Sequence, residues 1–114
     1  RHAGVRRAAK GALANMTIGL AKEVAGSNIR VNLVSPGMIH TPEVEQSYMQ
    51  MAAKRGWGDT WEEVEAHVAK DIPIRRISRR EEVAALVAYL CSPMADATHG
   101  QNIRIDGGQL GIVD

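Results

Sequence analysis

The fold is decided by the stretch IRVNLVSPGMIHTP, residues 29–42. Apolar and polar side chains alternate over its first part, which predicts a β-strand at residues 29–34. The Pro36-Gly37 pair then predicts a turn that ends the strand. Thr41-Pro42-Glu43 predicts the start of a helix, because a threonine cap, a proline in the first position and an acid in the first turn all favour helix initiation.

A helix is predicted immediately before this strand, at residues 8–25. Leu13, Met16, Leu20 and Val24 recur at steps of three and four residues, which places them on one helical face. Several alanines raise the helix propensity and keep the surface of the helix thin. Gly26 follows where a helix commonly ends on a left-handed residue.

Two further helices and a second strand are predicted downstream. A capping box at residues 60–63 starts a helix that Pro73 stops, and a capping box at residues 78–81 starts a helix that ends before Pro93. A short strand is predicted at residues 102–105. Helices between strands predict a parallel pair joined by a crossover. Because two strands alone make a poor sheet, the chain is predicted to be part of a larger doubly wound sheet.

The composition argues against several classes of function. The chain has 114 residues and a net charge of +1, which predicts one small domain without electrostatic attraction to nucleic acid. Its single cysteine, Cys91, cannot form an internal disulfide, and this favours a reducing, cytoplasmic location. No apolar run approaches the ~18 residues of a membrane span, so no membrane partner is expected. None of the four histidines is spaced from another histidine or cysteine as in a metal site, so no metal is expected.

Three segments, taken in order, resemble the C-terminal half of a short-chain dehydrogenase/reductase of the 3-oxoacyl reductase-like kind. They are Ala8-Ala9-Lys10, residues 29–42 and residues 100–108, which end on Asp106-Gly107-Gly108. The resemblance covers residues 8–114, whereas residues 1–7 do not match it. It implies an α/β fold, in which the chain supplies the last two strands and flanking helices of a Rossmann-type doubly wound parallel sheet. It also implies a parent enzyme that uses NAD or NADP to interconvert an alcohol and a carbonyl.

The family's Tyr-x-x-x-Lys motif is present only in part. In the family the tyrosine hydroxyl transfers the proton, and the lysine lowers the tyrosine pKa and holds the ribose hydroxyls. Lys10 matches the lysine, but Arg6 occupies the tyrosine position. An arginine side chain stays charged in proteins, so it cannot act as the acid. Lys10 is therefore expected to be a vestigial catalytic residue.

The loop that follows the first strand resembles the family's nicotinamide-binding loop. The resemblance implies that Pro36, Gly37, Ile39 and Thr41 contact the cofactor, with backbone groups on the carboxamide and the threonine hydroxyl on the carboxamide or pyrophosphate. A loop at the carboxyl end of a parallel strand is where such folds bind ligands. The alternative interpretation is a plain strand-turn-helix in which Thr41 serves only as a cap.

The family's glycine-rich phosphate turn and catalytic serine do not occur in these 114 residues. Three interpretations follow, in order of preference. The chain is a truncated piece of the enzyme that by itself is inactive and binds no cofactor, or a non-catalytic oligomerising module, or a half-enzyme that needs a partner chain. The resemblance places the surfaces of a homo-oligomer on helix 8–25 and on the segment 81–105.

Overall fold

The computed structural model describes residues 3–109, which form two compact units. Among these residues, the first unit comprises residues 3–35 together with Leu86–Ile103, and the second comprises Pro36–Ala85 together with residues 104–109. In chain order the elements are α1 (Ala3–Glu23), β1 (Leu33–Pro36), β2 (Ile39–His40), α2 (Pro42–Arg55), α3 (Trp61–Val68), β3 (Ser78–Arg79), α4 (Arg80–Leu90), a 3-10 turn (Pro93–Ala95) and β4 (Asn102–Ile105).

The first helix begins earlier and ends earlier than predicted. It spans Ala3–Glu23 rather than residues 8–25. The helix extends toward the N-terminus because arginine and alanine are good helix formers. Its last turn tightens where the Ala25 N–H donates to the Lys22 carbonyl at 3.3 Å, and Gly26 follows with a φ of 84°. Gly26 has the left-handed conformation that was predicted, but the helix itself stops three residues earlier, at Glu23.

The strands β1 and β4 pair in a two-stranded sheet. The Leu33 N–H donates to the Gln101 carbonyl at 2.8 Å, and the Gly37 N–H donates to the Ile105 carbonyl at 3.1 Å. Both partners advance by four residues in the same direction, so the pair is parallel, as predicted. The predicted strand at residues 102–105 is confirmed.

The limits predicted for the first strand, residues 29–34, are wrong, because β1 spans Leu33–Pro36. In the residues before it, side-chain bonds supplement a backbone bond from the Gly100 N–H to the Val31 carbonyl of 2.8 Å. The Val31 N–H donates to Nδ1 of His99 at 3.2 Å, and the side chain of Asn32 donates to the Thr98 carbonyl at 2.9 Å. These bonds join residues 31 and 32 to the segment before β4, but they do not form the regular backbone ladder of a strand.

A second parallel pair joins β2 to β3, with Ile39 opposite Ser78 and His40 opposite Arg79. The buried core of the second unit lies beside this pair and contains Ala69, Ile72 and Ile77. The predicted α/β class with parallel strands is confirmed. Within residues 3–109, no helix is long and apolar enough to cross a membrane.

The helices α2 and α3 begin at the predicted caps. The Thr60 hydroxyl accepts the Glu63 N–H at 3.3 Å, and the Glu63 carboxylate accepts the Thr60 N–H at 3.3 Å, which is the predicted capping box. The pKa of the Glu63 carboxyl lies below its ordinary value, first because the Asp59 N–H donates to it. The helix ends at Val68, before the predicted stop at Pro73.

The capping box predicted at Ser78 and Glu81 is wrong. Ser78 lies in β3, and its hydroxyl donates to the Ile105 carbonyl at 3.2 Å. Glu82, rather than Glu81, accepts the Arg79 N–H at 2.8 Å. Arg76 holds the Glu82 carboxylate in that place with two bonds of 2.7 Å each, so the cap depends on an ion pair.

Candidate functional site

The predicted nicotinamide-binding residues lie in one short segment, the β1–α2 loop, which we define as residues 36–41. Backbone bonds hold it on two sides. The Gly37 N–H donates to the Ile105 carbonyl at 3.1 Å, and the Met38 carbonyl accepts the Ser78 N–H at 3.2 Å. Because the partners are the end of β4 and the start of β3, these bonds hold the loop backbone in one conformation.

Gly37 is required by close packing rather than by an unusual backbone angle. A Cβ atom at this position would lie 2.7 Å from the Cβ of Asp106. Real Cβ atoms do not approach one another so closely. The sequence pattern Pro36-Gly37 predicted a turn, but the reason for the glycine lies 69 positions further along the chain.

Met38 anchors the loop to the core of the second unit. Its side chain packs against the cluster of Ala69, Ile72 and Ile77. The Tyr48 hydroxyl donates to the Met38 sulfur at 3.1 Å, which connects the loop to α2. Sulfur is a weak acceptor, so this contact orients more than it stabilises.

Thr41 has the cap role expected from the sequence. Its Oγ1 accepts the Val44 N–H at 3.1 Å at the start of α2. That bond uses a lone pair and leaves the hydroxyl hydrogen, which can still donate to a ligand. The cap and the predicted cofactor contact are therefore compatible on one side chain.

The residue that the sequence did not single out is His40. Its Nε2 lies 2.7 Å from Oε1 of Glu45, and its ring stacks on Trp61 with the centroids 4.8 Å apart and the planes at 17°. In the sequence, His40 and Glu45 are five residues apart across a helix start, a spacing that carries no recognised signal. Trp61 is more distant still, at the start of α3.

An open cleft of about 540 Å³ lies beside the loop. Its lining mixes polar and apolar surface and carries charges of both signs. The residues are His40, Thr41, Pro42, Glu45, Gln46, Met49, Arg79, Arg80 and Glu81. Within residues 3–109, no group of three His, Cys, Asp or Glu side chains is arranged to hold a metal ion.

The Arg76–Glu82 ion pair stabilises the start of α4, whose first residues, Arg80 and Glu81, line this cleft. The Arg76 guanidinium donates two hydrogen bonds to the carboxylate, and this holds the pKa of Glu82 at about 2, well below the ordinary value of 4.5. The Arg79 N–H contributes a further hydrogen bond to the same effect. The Arg76 pKa is raised by the same side-chain bond.

The other predicted catalytic position lies in the first unit. Arg6 and Lys10 are one helical turn apart on α1, and both side chains are exposed. Two cations on one face attract anions, but neither group can donate and recover a proton as a tyrosine hydroxyl does. The roles of Lys10 and of the loop residues remain predictions.

The Asp106-Gly107-Gly108 ending has a packing role in the second unit. A Cβ on Gly107 would lie 2.6 Å from Ile74, and a Cβ on Gly108 would lie 3.1 Å from Pro73. Both glycines also have positive φ angles, of 67° and 86°. The turn therefore lies directly against the Ile72–Ile74 segment.

The resemblance implies that the β1–α2 loop holds the nicotinamide end of a dinucleotide. The β1–α2 loop offers backbone groups and the Thr41 hydroxyl hydrogen, which suit an amide such as a carboxamide. Among residues 3–109, no glycine-rich strand-to-helix turn offers a cradle for a pyrophosphate.

Comparisons with known proteins relate the chain to one family of enzymes. A family model described as "Enoyl-(Acyl carrier protein) reductase" matches residues 1–109. A tropinone reductase homolog from Datura stramonium is 38% identical over 101 residues, which are 89% of this chain and 35% of that relative. The chain thus spans only about a third of the length of this relative.

Solved structures give the same result for the fold. A short chain dehydrogenase family protein from Francisella tularensis subsp. tularensis SCHU S4 matches with a TM-score of 0.71 and 36% identity, over 88% of this chain and 40% of that one. L-sorbose reductase from Gluconobacter frateurii, complexed with NADPH and L-sorbose, matches with a TM-score of 0.77 and 34% identity, over 91% and 39%. The prediction of a partial Rossmann-type doubly wound parallel sheet is confirmed.

Proposed function

The chain belongs to the short-chain dehydrogenase/reductase family, and from this we propose that it is the C-terminal part of an oxidoreductase that transfers hydride between NAD or NADP and an alcohol or carbonyl. The observation that carries the proposal is the β1–α2 loop. It leaves the carboxyl end of a parallel strand and leads into a helix capped by Thr41. Folds of this class place their ligands at such a point.

In this proposal, the β1–α2 loop holds the nicotinamide end of the cofactor. The backbone of Gly37 and Ile39 and the hydroxyl hydrogen of Thr41 would contact the carboxamide. When bound, NAD(P) supplies the hydride chemistry. The loop contributes orientation, which its hydrogen bonds to Ile105 and Ser78 support because they fix the backbone before a ligand arrives.

We further propose that this chain alone is inactive. Arg6 stands where the family has its proton-transferring tyrosine, and a guanidinium stays charged in proteins. Without a proton donor at that position, hydride transfer to a carbonyl lacks general acid assistance, which typically contributes about 10²–10⁴-fold to the rate.

Steady-state assays of the pure chain test this proposal. Alcohols, ketones and 3-oxoacyl thioesters should give no cofactor-dependent turnover with NAD(H) or NADP(H). Turnover that is lost in Lys10→Ala, but kept in the matched Lys22→Ala variant on the same helix, would contradict the expected inactivity. It would also show that Lys10 retains a catalytic role.

Cofactor binding is a separate test. Because the described residues fit only the nicotinamide end, calorimetric titration with NAD and NADP should detect weak binding or none. A dissociation constant in the low micromolar range, equivalent to about −8 kcal/mol, would contradict the proposal.

A second candidate function is assembly with other chains, and one observation favours it. Five large apolar side chains of α1 are roughly half exposed or more, namely Val5, Leu13, Met16, Ile18 and Leu20. A row of exposed apolar side chains on one helix marks an interaction surface more often than a free surface. We propose that α1 and the segment 81–105 are the surfaces of a homo-oligomer, or of a complex with a chain that supplies the front half of the enzyme.

We also propose a cytoplasmic location. The chain has one cysteine, Cys91, and its thiol is free and exposed. Reducing compartments keep such thiols from forming disulfides.

A further inference from the structure

Three side chains from three elements meet beside the β1–α2 loop. His40 comes from β2, Glu45 from the first turn of α2 and Trp61 from the first turn of α3. The His40 Nε2 lies 2.7 Å from the Glu45 carboxylate, and the imidazole stacks on the indole at 4.8 Å. We refer to these residues as the His40–Glu45–Trp61 cluster.

Both the backbone and the side chain of His40 are fixed. Its backbone lies in the β2–β3 pair, opposite Arg79. Its ring is restrained in plane by the bond to Glu45 and out of plane by Trp61, and only 23% of the side chain is exposed. A residue held in this way transmits its position to its chain neighbours, which are Ile39 and Thr41.

The cluster is anchored to the core at its far end. The partly buried Trp61 packs against Ala69, Ile72 and Ile77, the buried cluster of the second unit. The contact therefore connects the loop to the rigid interior rather than to another mobile surface side chain. It also joins the loop to the two helices, α2 and α3, that follow it.

We infer that His40 is a positioning residue of the nicotinamide-binding loop. Through Glu45 and Trp61 it holds Ile39 and Thr41 in a fixed relation to α2 and α3. The identity of the ligand rests on the proposed function, whereas the positioning itself is a property of this chain without ligand. Glu45 acts in the cluster by accepting the imidazole N–H, and Trp61 acts by stacking.

Substitutions can separate the two interactions. His40→Gln keeps an N–H donor for Glu45 but loses the ring, His40→Phe keeps a ring for Trp61 but loses the donor, and His40→Ala loses both. The matched control is His67→Ala, because His67 stacks on Trp57 at 4.4 Å elsewhere in the same unit. It removes a histidine–tryptophan stack without touching the loop.

Amide hydrogen exchange is the first measurement. His40→Ala should raise exchange in residues 36–41 and in the first turn of α2 by about tenfold, because a local opening becomes easier. The Gln and Phe variants should each give a smaller increase, and His67→Ala should leave these residues unchanged. If His40→Ala fails to fold, the Gln and Phe variants decide the question.

Two results would overturn the inference. One is that none of the three His40 variants changes the exchange of residues 36–41 relative to the unsubstituted chain. The other is an equal increase in exchange over the whole second unit, which would make His40 a general stabilising residue.

Tryptophan fluorescence is a spectroscopic check. In a Trp57→Phe background, the emission of Trp61 should change on His40→Ala and not on His67→Ala.

A ligand titration separates this inference from the proposed function. Nicotinamide mononucleotide should shift the amide NMR signals of Ile39 and Thr41, and the shifts should shrink in His40→Ala. If the unsubstituted chain shows no shift, the proposed nicotinamide contact of the loop fails for this chain alone, while the exchange data still decide the positioning. Equal shifts in both proteins would refute the positioning role of His40.

Discussion

At the scale of single residues, Gly37 shows how the loop depends on a distant contact. The space for a side chain at this position is taken by Asp106, whose Cβ lies 2.7 Å from where the new atom would be. The backbone bond from the Gly37 N–H to Ile105 prevents the two segments from moving apart freely. The loop and the residues after β4 are therefore packed as one piece.

We predict that Gly37→Ala destabilises the protein by about 1–3 kcal/mol, the usual range for overpacking a close contact. The control is Gly11→Ala in α1, where an added Cβ meets nothing within 4 Å. This second substitution should stabilise by about 0.5–1 kcal/mol, because alanine favours a helix over glycine. Urea unfolding compares the variants, and an unchanged midpoint for Gly37→Ala would contradict the packing argument.

Glu82 is the carboxylate whose titration should affect stability. Arg76 and the Arg79 N–H hold its pKa at about 2, against an ordinary value of 4.5. Since the folded pKa is the lower one, the unfolded state binds more protons between these values. The stabilisation from this ion pair is thus fully present above about pH 4.5 and is lost as the pH falls toward 2.

We predict that Glu82→Gln flattens the dependence of stability on pH between about 2 and 4.5, because the glutamine cannot titrate. Glu81→Gln, one residue earlier in the same helical turn, is the control and should keep the slope. Urea midpoints at several pH values from 2 to 6 measure the effect. Equal slopes in both variants would show that the Arg76–Glu82 pair does not contribute.

At the scale of elements, the end of α4 depends on a side chain from the segment before β1. The Arg30 guanidinium donates to the carbonyls of Leu90 and Ala95 at 2.9 Å and to that of Ser92 at 3.2 Å. The last carbonyls of a helix have no partner within the helix, and a cation suits the negative end of the helix dipole. Arg30 therefore serves as a cap supplied from another part of the chain.

We predict that Arg30→Lys costs about 2 kcal/mol, because an ammonium on one stem cannot replace three bonds from a planar guanidinium. The control is Asp96→Asn, which removes only an exposed ion pair of 3.9 Å to Arg30. This change should cost less than about 0.5 kcal/mol. Similar losses in the two variants would mean that the ion pair, rather than the carbonyl cap, is what matters.

At the scale of the whole molecule, the apolar face of α1 is the feature that its own unit leaves uncovered. Met16 is 69% exposed and Leu20 is 48% exposed, and both line an apolar depression of about 460 Å³ with Leu13 and Val31. The curated relative from Datura stramonium is about two and a half times as long as this chain. In a pure sample, a second copy of the chain is the partner available to cover this face.

We predict that the pure chain forms a dimer or larger assembly at micromolar concentration. Met16→Gln with Leu20→Gln should weaken the assembly at least about tenfold, or 1.4 kcal/mol, because both changes remove apolar surface from the contact. Lys22→Gln on the same helix is the control. Light scattering over a dilution series gives the result, and a compact monomer at every concentration would contradict the prediction.

The sequence alone was sufficient for the class and order of the helices and of the strands β1 and β4, but it did not indicate β2 and β3. Local signals determined them: the alternation before Pro36, the cap at Thr41, the capping box at Thr60 and the strand at residues 102–105. Each of these signals lies within one turn of a helix or one strand, so the neighbours in sequence supply the physical cause. The same local motifs supported the family resemblance and hence the predicted nicotinamide-binding loop.

Only the tertiary structure decided the features that join distant segments. His99 and Thr98 bond to the chain before β1 and thereby shift its start, and Arg76 selects Glu82 instead of Glu81 as the cap of α4. The contact of His40 with Trp61 likewise depends on how β2 and α3 pack. Periodicity and caps report interactions between neighbours along the chain, whereas these contacts form between side chains whose proximity exists only after folding.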